Sequence, residues 1–380
     1  MNFNQKLIFV VIALFLSNFL GAQQYTVNFN VDVNNNSDIE EITNVWHNYL
    51  RSNSKEYWKQ DEVKALENFN IQNMPGILNP PLLNWKLNNR ILSVVNISNN
   101  KYILKSVFFN NDLEIFALTN VVVEKINAEF KLSNYIYHYT QDWNIEQKGN
   151  IKYIYNPSYK IANSEIKSAE QFYKKLCEVF NLNAEQITYF IAEDCDDIYT
   201  MLGYDFFISK GAGTECGYFE SQNNFVFVTN KGGANHYHEL THFINKFYPN
   251  ANDLLLTGIS AYISKDKAHF GKPLEHHTKR IDNYLKANPE INLSNPFDFY
   301  FMDEETNPQY VIGALLCDLI IERKGKNGLL ETFKNHSTNE ELLDHLNKDI
   351  LFESESLNDV LKERINLISK NNKFENRLGF

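Results

Sequence analysis

Two periods of polar and apolar residues run along this chain, and the dominant one changes near residue 157. Over 37–68, SDIEEITNVWHNYLRSNSKEYWKQDEVKALEN, apolar positions recur three and four apart, which predicts helix with Ser37 or Asp38 as its cap. MPGILNPP (74–81) is irregular. RILSVVNIS, KYILKSVFF, LEIFALTNVVVEK, AEFKLSNYIYHYT and IKYIYNP are then rich in Ile, Val, Tyr and Phe and are separated by Asn-containing turns, so they read as strands. One or two helices against a curved antiparallel sheet is the economical arrangement for 24–150, and nothing there carries a catalytic pattern.

Beyond 157 helical spacing takes over. SEIKSAEQFYKKLCEVFNL reads as a capped amphipathic helix, EQITYFIA as a strand, CDDIYTMLG as a short helix and GYFESQNNFVFVTN as a strand or a hairpin with SQNN at its turn. Helical patterns follow at 254–264, 273–287, 309–324, 327–335, 338–347 and 355–370. The predicted fold class is α+β: a helix-plus-antiparallel-sheet domain over 23–150, then a small sheet and a helical bundle over 151–380. A length of 380 residues suits two domains.

Charge narrows the partners. A net charge of -11 argues against nucleic acid or an anionic membrane, which both reward clustered Lys and Arg. At the N-terminus, MNFNQK, the apolar run LIFVVIALFLSNFL and GAQQ read as an export signal cleaved after Ala22. A secreted or periplasmic protein without stable membrane insertion is expected. In an oxidising compartment Cys195 and Cys216, in polar loop-like surroundings, are free to bridge, whereas Cys177 and Cys317 sit in helical patterns as buried thiols.

The candidate chemistry is in GGANHYHELTHFINKFYPN, from Gly232, which contains His238-Glu239-Leu240-Thr241-His242. On a helix, positions i and i+4 share a face, so His238 and His242 can point two imidazoles at one ion. Glu239, turned to the side, can take a proton from a water activated there. His236, two positions earlier, faces away on a continuous helix and reads as structural.

Together with LLLTGISAYIS and YVIGALLCDLIIERKGKNGLLETF, HELTHFI makes residues 150–335 resemble the gluzincins, the aminopeptidase-N and thermolysin-like zinc peptidases. The resemblance implies a zincin-like domain with His238 and His242 as Zn2+ ligands and Glu239 as general base. In that family the next helix reads E-G-x-A-x-Y, its Glu being the third ligand, and a later Y-x-x-G supplies an oxyanion-stabilising Tyr. Gly258, Ala261 and Tyr262 match the first pattern, Tyr310 and Gly313 the second, and GYFESQNNFVFV resembles the strand that holds substrate backbone. The third-ligand position, however, holds Thr257, and a neutral hydroxyl is a poor zinc ligand. Three explanations stay open. Another residue completes the site, His269 first, with Glu275, His276 and Asp253 behind it; or two histidines and waters suffice; or the site is degenerate. The G-x-M-E-N pattern of aminopeptidases is absent, with Glu215 displaced in GAGTECG, so an exopeptidase is not favoured over an endopeptidase. The expected function is hydrolysis of a peptide or protein substrate. The alternatives are an inactive gluzincin-fold binding or scaffold protein and a zinc hydrolase of a non-peptide bond.

Overall fold

A computed structural model describes residues 23–66, 70–71, 74–75, 85–208, 216–264 and 271–380. The export-signal segment 1–22, Glu215 and the ligand candidate His269 lie outside them. The architecture is mixed α+β, in two units: one takes the chain up to Gln141 together with 199–211, the other takes 142–198 and 212–380. Among the described residues no helix is long and apolar enough to cross a membrane.

In the first unit β1 (Tyr25–Val27) leads to the helix α1 (Ser37–Ser52). Its buried residues Ile42, Trp46, Tyr49 and Leu50 fall at helical spacing on one face. The cap is Asn36, one position before the residues the pattern suggests; its side chain accepts from the backbone N–H groups of Asp38 and Ile39. After α2 (Gln60–Leu66) comes a two-residue ladder, β2 (Asn70–Ile71) with β3 (Met74–Pro75). The main sheet then forms from β4 (Asn88–Ser98), β5 (Lys101–Phe109), β6 (Ile115–Ile126) and β7 (Glu129–Ser133), each antiparallel to the next, with β1 added parallel to β4.

A polar chain ties α1 to this sheet. Trp46 Nε1 donates to Asn89 Oδ1 at 3.1 Å, Asn89 Nδ2 donates to Ser106 Oγ at 3.0 Å, and Ser106 Oγ meets Thr119 Oγ1 at 3.0 Å. The segment NYIYHY, strand-like by composition, is instead the one-turn helix α3 (Tyr135–Tyr139). The strand stops because Glu62 of α2 captures its next donors: Ser133 Oγ, the Asn134 N–H at 2.6 Å and Asn134 Nδ2 at 2.9 Å all bond to its carboxylate.

The second unit begins with β8 (Asn144–Lys148) and β9 (Ile151–Tyr155), antiparallel to each other. The crossover helix α4 (Asn163–Phe180) buries Ile166, Ala169, Tyr173, Leu176 and Phe180. Its start at Ala162 carries no side-chain cap, contrary to the reading of that segment. The crossover returns the chain to β10 (Ile187–Ala192), parallel to β9. Then α5 (Cys195–Met201) precedes β11 (Tyr204–Phe207), which belongs to the first unit and pairs antiparallel with β6 in that unit's sheet. The chain comes back at the Cys195–Cys216 disulfide, and Cys177 and Cys317 are buried thiols, as their contexts suggest. Of the two readings of this segment the hairpin forms, from β12 (Gly217–Glu220) and β13 (Phe225–Thr229), and among the described residues the sheet order is β12-β13-β10-β9-β8, with β12 at an edge.

After the one-turn helix α6 (Tyr237–Thr241) come α7 (Asp253–Ile263), α8 (Leu274–Ala287), α9 (Pro308–Asn335), α10 (Asn339–His345) and α11 (Leu357–Asn371). Gly325, at φ 69°, breaks α9 into the two segments that the pattern separates. One apolar core unites this bundle with α4 and the inner face of the sheet.

Candidate metal centre

The sheet itself aims the motif. The Tyr189 hydroxyl on β10 donates to the Gly233 carbonyl at 2.8 Å and accepts the His236 N–H at 3.0 Å. From β9, the Tyr153 hydroxyl donates to the Ala234 carbonyl at 3.2 Å. These buried hydroxyls pin the loop that launches α6, satisfying backbone groups that would otherwise be orphaned. Gly233 takes φ +72° here, a conformation that costs glycine little. His236 is the residue before the helix and its backbone N–H is part of this anchor, so it does not lie on the far face of a continuous helix.

Only one α-turn forms. From His242 to Phe247 the chain tightens into a 3-10 helix. The motif histidines still share a face: their ring centroids lie 4.9 Å apart and their Nε2 atoms 3.3 Å apart. His238 is buried and His242 half-buried. Burial lowers the His242 pKa to about 4, so near neutrality the ring is uncharged and keeps a lone pair. Glu239 is 6% exposed. Among the described residues no hydrogen bond reaches its carboxylate, and desolvation pushes its pKa up to about 8. The group fits there because β12 offers a glycine: a Cβ on Gly217 would lie 2.8 Å from Glu239 Cγ and Oε1.

Tyr310, in the first turn of α9, joins them. Its ring stacks on His238 at 5.5 Å and 28°. Burial and the nearby Glu239 push its hydroxyl up to about 12. The placement depends on α9 crossing α7 closely: a Cβ on Gly258 would overlap the Gly313 backbone, and one on Gly313 would overlap Leu254 O. The two glycines that match the family pattern are thus the contact point of the helices that carry Thr257 and Tyr310.

The structure therefore brings His238, Glu239, His242 and Tyr310 together. Of α7, the residue that reaches the imidazoles is Ser260, one turn beyond Thr257, with Oγ 3.2 Å from His242 Nδ1. Glu275 accepts the Phe374 N–H, His276 pairs with Glu305 at 2.8 Å, and Asp253 is exposed at the start of α7. Among the described residues no group of three or more His, Cys, Asp or Glu is placed to hold a metal ion. The imidazole pair by itself suits a divalent cation: two ring nitrogens, 3.3 Å apart, converge on one point. Sequence reasoning missed Ser260, Asn245, whose Nδ2 lies 3.0 Å from His242 Nδ1, and the Gly217–Glu239 contact. Asn245 had a signal, its spacing of three from His242; the other two depend on tertiary packing.

No protein-family model matches the chain, and no curated protein matches it. Among solved structures, an aminopeptidase N family protein from Idiomarina loihiensis aligns at 11% identity and a TM-score of 0.29, over 61% of this chain. The alignment spans 42% of that chain. So slight a likeness carries no part of the argument; the mixed α+β class rests on the elements described above.

Proposed function

We propose that this chain is a gluzincin-like zinc hydrolase that cleaves peptide bonds outside the cytoplasm. The observation that carries the reading is the convergence of the His238 and His242 Nε2 atoms, 3.3 Å apart, beside a buried glutamate whose carboxylate has no hydrogen bond among the described residues. His238 and His242 would hold Zn2+, which when bound supplies Lewis-acid polarisation of a carbonyl and acidifies a water. A positive charge there favours the carboxylate form of Glu239. Glu239 takes the proton of the attacking water and passes it to the leaving amine. The Tyr310 hydroxyl donates to the developing oxyanion. The exposed edge of β12 offers backbone groups to an extended peptide beside Glu239. Thr257 supports the second reading, a binding or scaffold protein on the same fold, because no described carboxylate stands in the third-ligand place.

The test is cleavage of a denatured protein by the zinc-supplemented 23–380 chain and by its Glu239→Gln variant. We expect the variant to lose about 10²–10⁴-fold in rate. Wild-type cleavage no faster than that of the variant would sink the hydrolase reading and leave the binding protein.

A further inference from the structure

We infer that the Cys195–Cys216 disulfide positions the edge strand β12 for peptide binding, so that recognition of an extended substrate depends on this bridge as well as on the strand ladder; the inference deepens the peptidase reading and rests on it. Cys216 immediately precedes Gly217, the first residue of β12 and the one that lies against Glu239. β12 is four residues long and, among the described residues, pairs with β13 on one side only. The ends of so short an edge strand open readily unless something besides the ladder ties them down. At the turn that tie is a hydrogen-bonded network. The buried Glu220 carboxylate accepts the Gln222 N–H at 2.8 Å, the Asn223 N–H at 2.9 Å and Asn223 Nδ2 at 2.9 Å. Asn224 Nδ2 extends it by donating to Glu185 at 2.9 Å.

At the start of β12 the tie is covalent. Gly217 stands opposite Val228 on β13, and the next residue of β13, Thr229, stands opposite Ala192 at the end of β10. Cys195 opens α5 just beyond Ala192, so the bridge joins two strands that are not neighbours, with β13 between them and the cysteine Cα atoms 5.8 Å apart. The inner anchor is firm. Cys195 is buried, and its turn is locked by the Glu193 N–H donating to Asp197 Oδ2 at 2.7 Å and the Asp197 N–H donating to Asp194 Oδ1 at 2.8 Å. The path of the chain gives the bridge its purpose. From Tyr199 to Gly211 the chain belongs to the first unit, and it re-enters the second at the strand start that borders Glu239. The bridge closes this 21-residue excursion, so the start of β12 is held to its own sheet by more than the ladder. Strand addition needs the edge in place before the peptide arrives. An edge that opens at one end binds in proportion to the fraction of time it is closed.

The experiment compares the 23–380 chain with its Cys195→Ser/Cys216→Ser variant, and with wild-type chain reduced by a phosphine after folding, which covers the case of a variant that does not fold. Hydrogen exchange without metal reads Gly217–Glu220 against Ile187–Ala192 of β10 in the same sheet. We expect loss of the bridge to accelerate exchange in β12 by about 10–100-fold more than in β10. With zinc, KM for an extended peptide is expected to rise about tenfold while kcat changes by about threefold at most, the pattern of lost ground-state binding. Equal acceleration of the two strands, or unchanged exchange in β12, would overturn the positioning role and leave a cross-link that serves general stability. Faster exchange in β12 with an unchanged KM would overturn the link to peptide binding. Wild type that cleaves no peptide would overturn the peptidase reading instead, while the exchange comparison, which needs neither metal nor substrate, still decides whether the bridge positions β12.

Discussion

Glu62 in the first unit, at 5% exposure, and Glu239 in the second, at 6%, are buried to the same degree and treated in opposite ways, while Glu220 of the second unit, at 2%, is held by three donors much as Glu62 is. Glu62 receives Ser133 Oγ and both nitrogen donors of Asn134, with Lys59 at 3.6 Å. Three donors and a nearby ammonium surround its carboxylate, and the group serves to end β7 and start α3. Glu239 has no such set among the described residues and sits against the bare backbone of Gly217. A buried carboxyl that the fold solvates is architecture. One that the fold desolvates is unstable as a charge and stays available for chemistry. The difference therefore lies in the donors and not in burial.

The sharpest break of this comparison is a pair of substitutions. Glu62→Ala strands three buried donors and should cost about 3–5 kcal/mol. Glu239→Gln removes a desolvated carboxyl and should be neutral or stabilising by about 1 kcal/mol. Urea unfolding at neutral pH without metal checks both; equal losses would refute the contrast. Next in size is Gly313→Ala at the α7–α9 crossing, expected to cost about 1–3 kcal/mol through overpacking and to displace Tyr310 from His238. The same unfolding series reads the stability, and the Tyr310 ring shift on the His238 signals reads the displacement.

Burial, followed by the charge of Arg51, lowers the His47 pKa to about 4 in the first unit. A histidine depressed in the fold contributes stability that is fully present above its unfolded pKa and is lost as pH falls from about 6.5 through about 4. His47→Gln should remove about one proton from the acid limb of the stability curve over that window. An unchanged limb would mean His47 is not held neutral. The smallest effects are expected at the caps, Asn36→Ala in one unit and Thr338→Ala, which opens the Thr338–Glu341 capping box, in the other. Each should cost about 1 kcal/mol. Similar losses would show that the units respond alike to ordinary damage and that the contrast is confined to Glu62 and Glu239.

Much of this was legible in the chain. Strands β4 to β6, the SQNN hairpin, the helices after 253 and the break at Gly325 all follow from local periodicity and turn residues. Local signals failed where a distant side chain intervened. NYIYHY has strand composition, but Glu62, some seventy residues earlier, takes the donors that would have continued the ladder. The length of α6 also went unread, because the pattern continues past His242 while the backbone tightens.

At the candidate site the division is equally physical. The sequence by itself determined that two imidazoles and a carboxyl would share one helical turn, because a spacing of four allows little else on a helix. It also determined that Gly258 and Gly313 lack side chains, and so that two helices were able to meet there. Only the tertiary structure decided that they do meet, that Tyr310 thereby reaches His238, that Gly217 makes room for the Glu239 side chain, and that Ser260 faces His242 Nδ1. Spacing along a chain fixes direction within one element. Desolvation and close approach depend on groups that other elements bring, and those are set by packing.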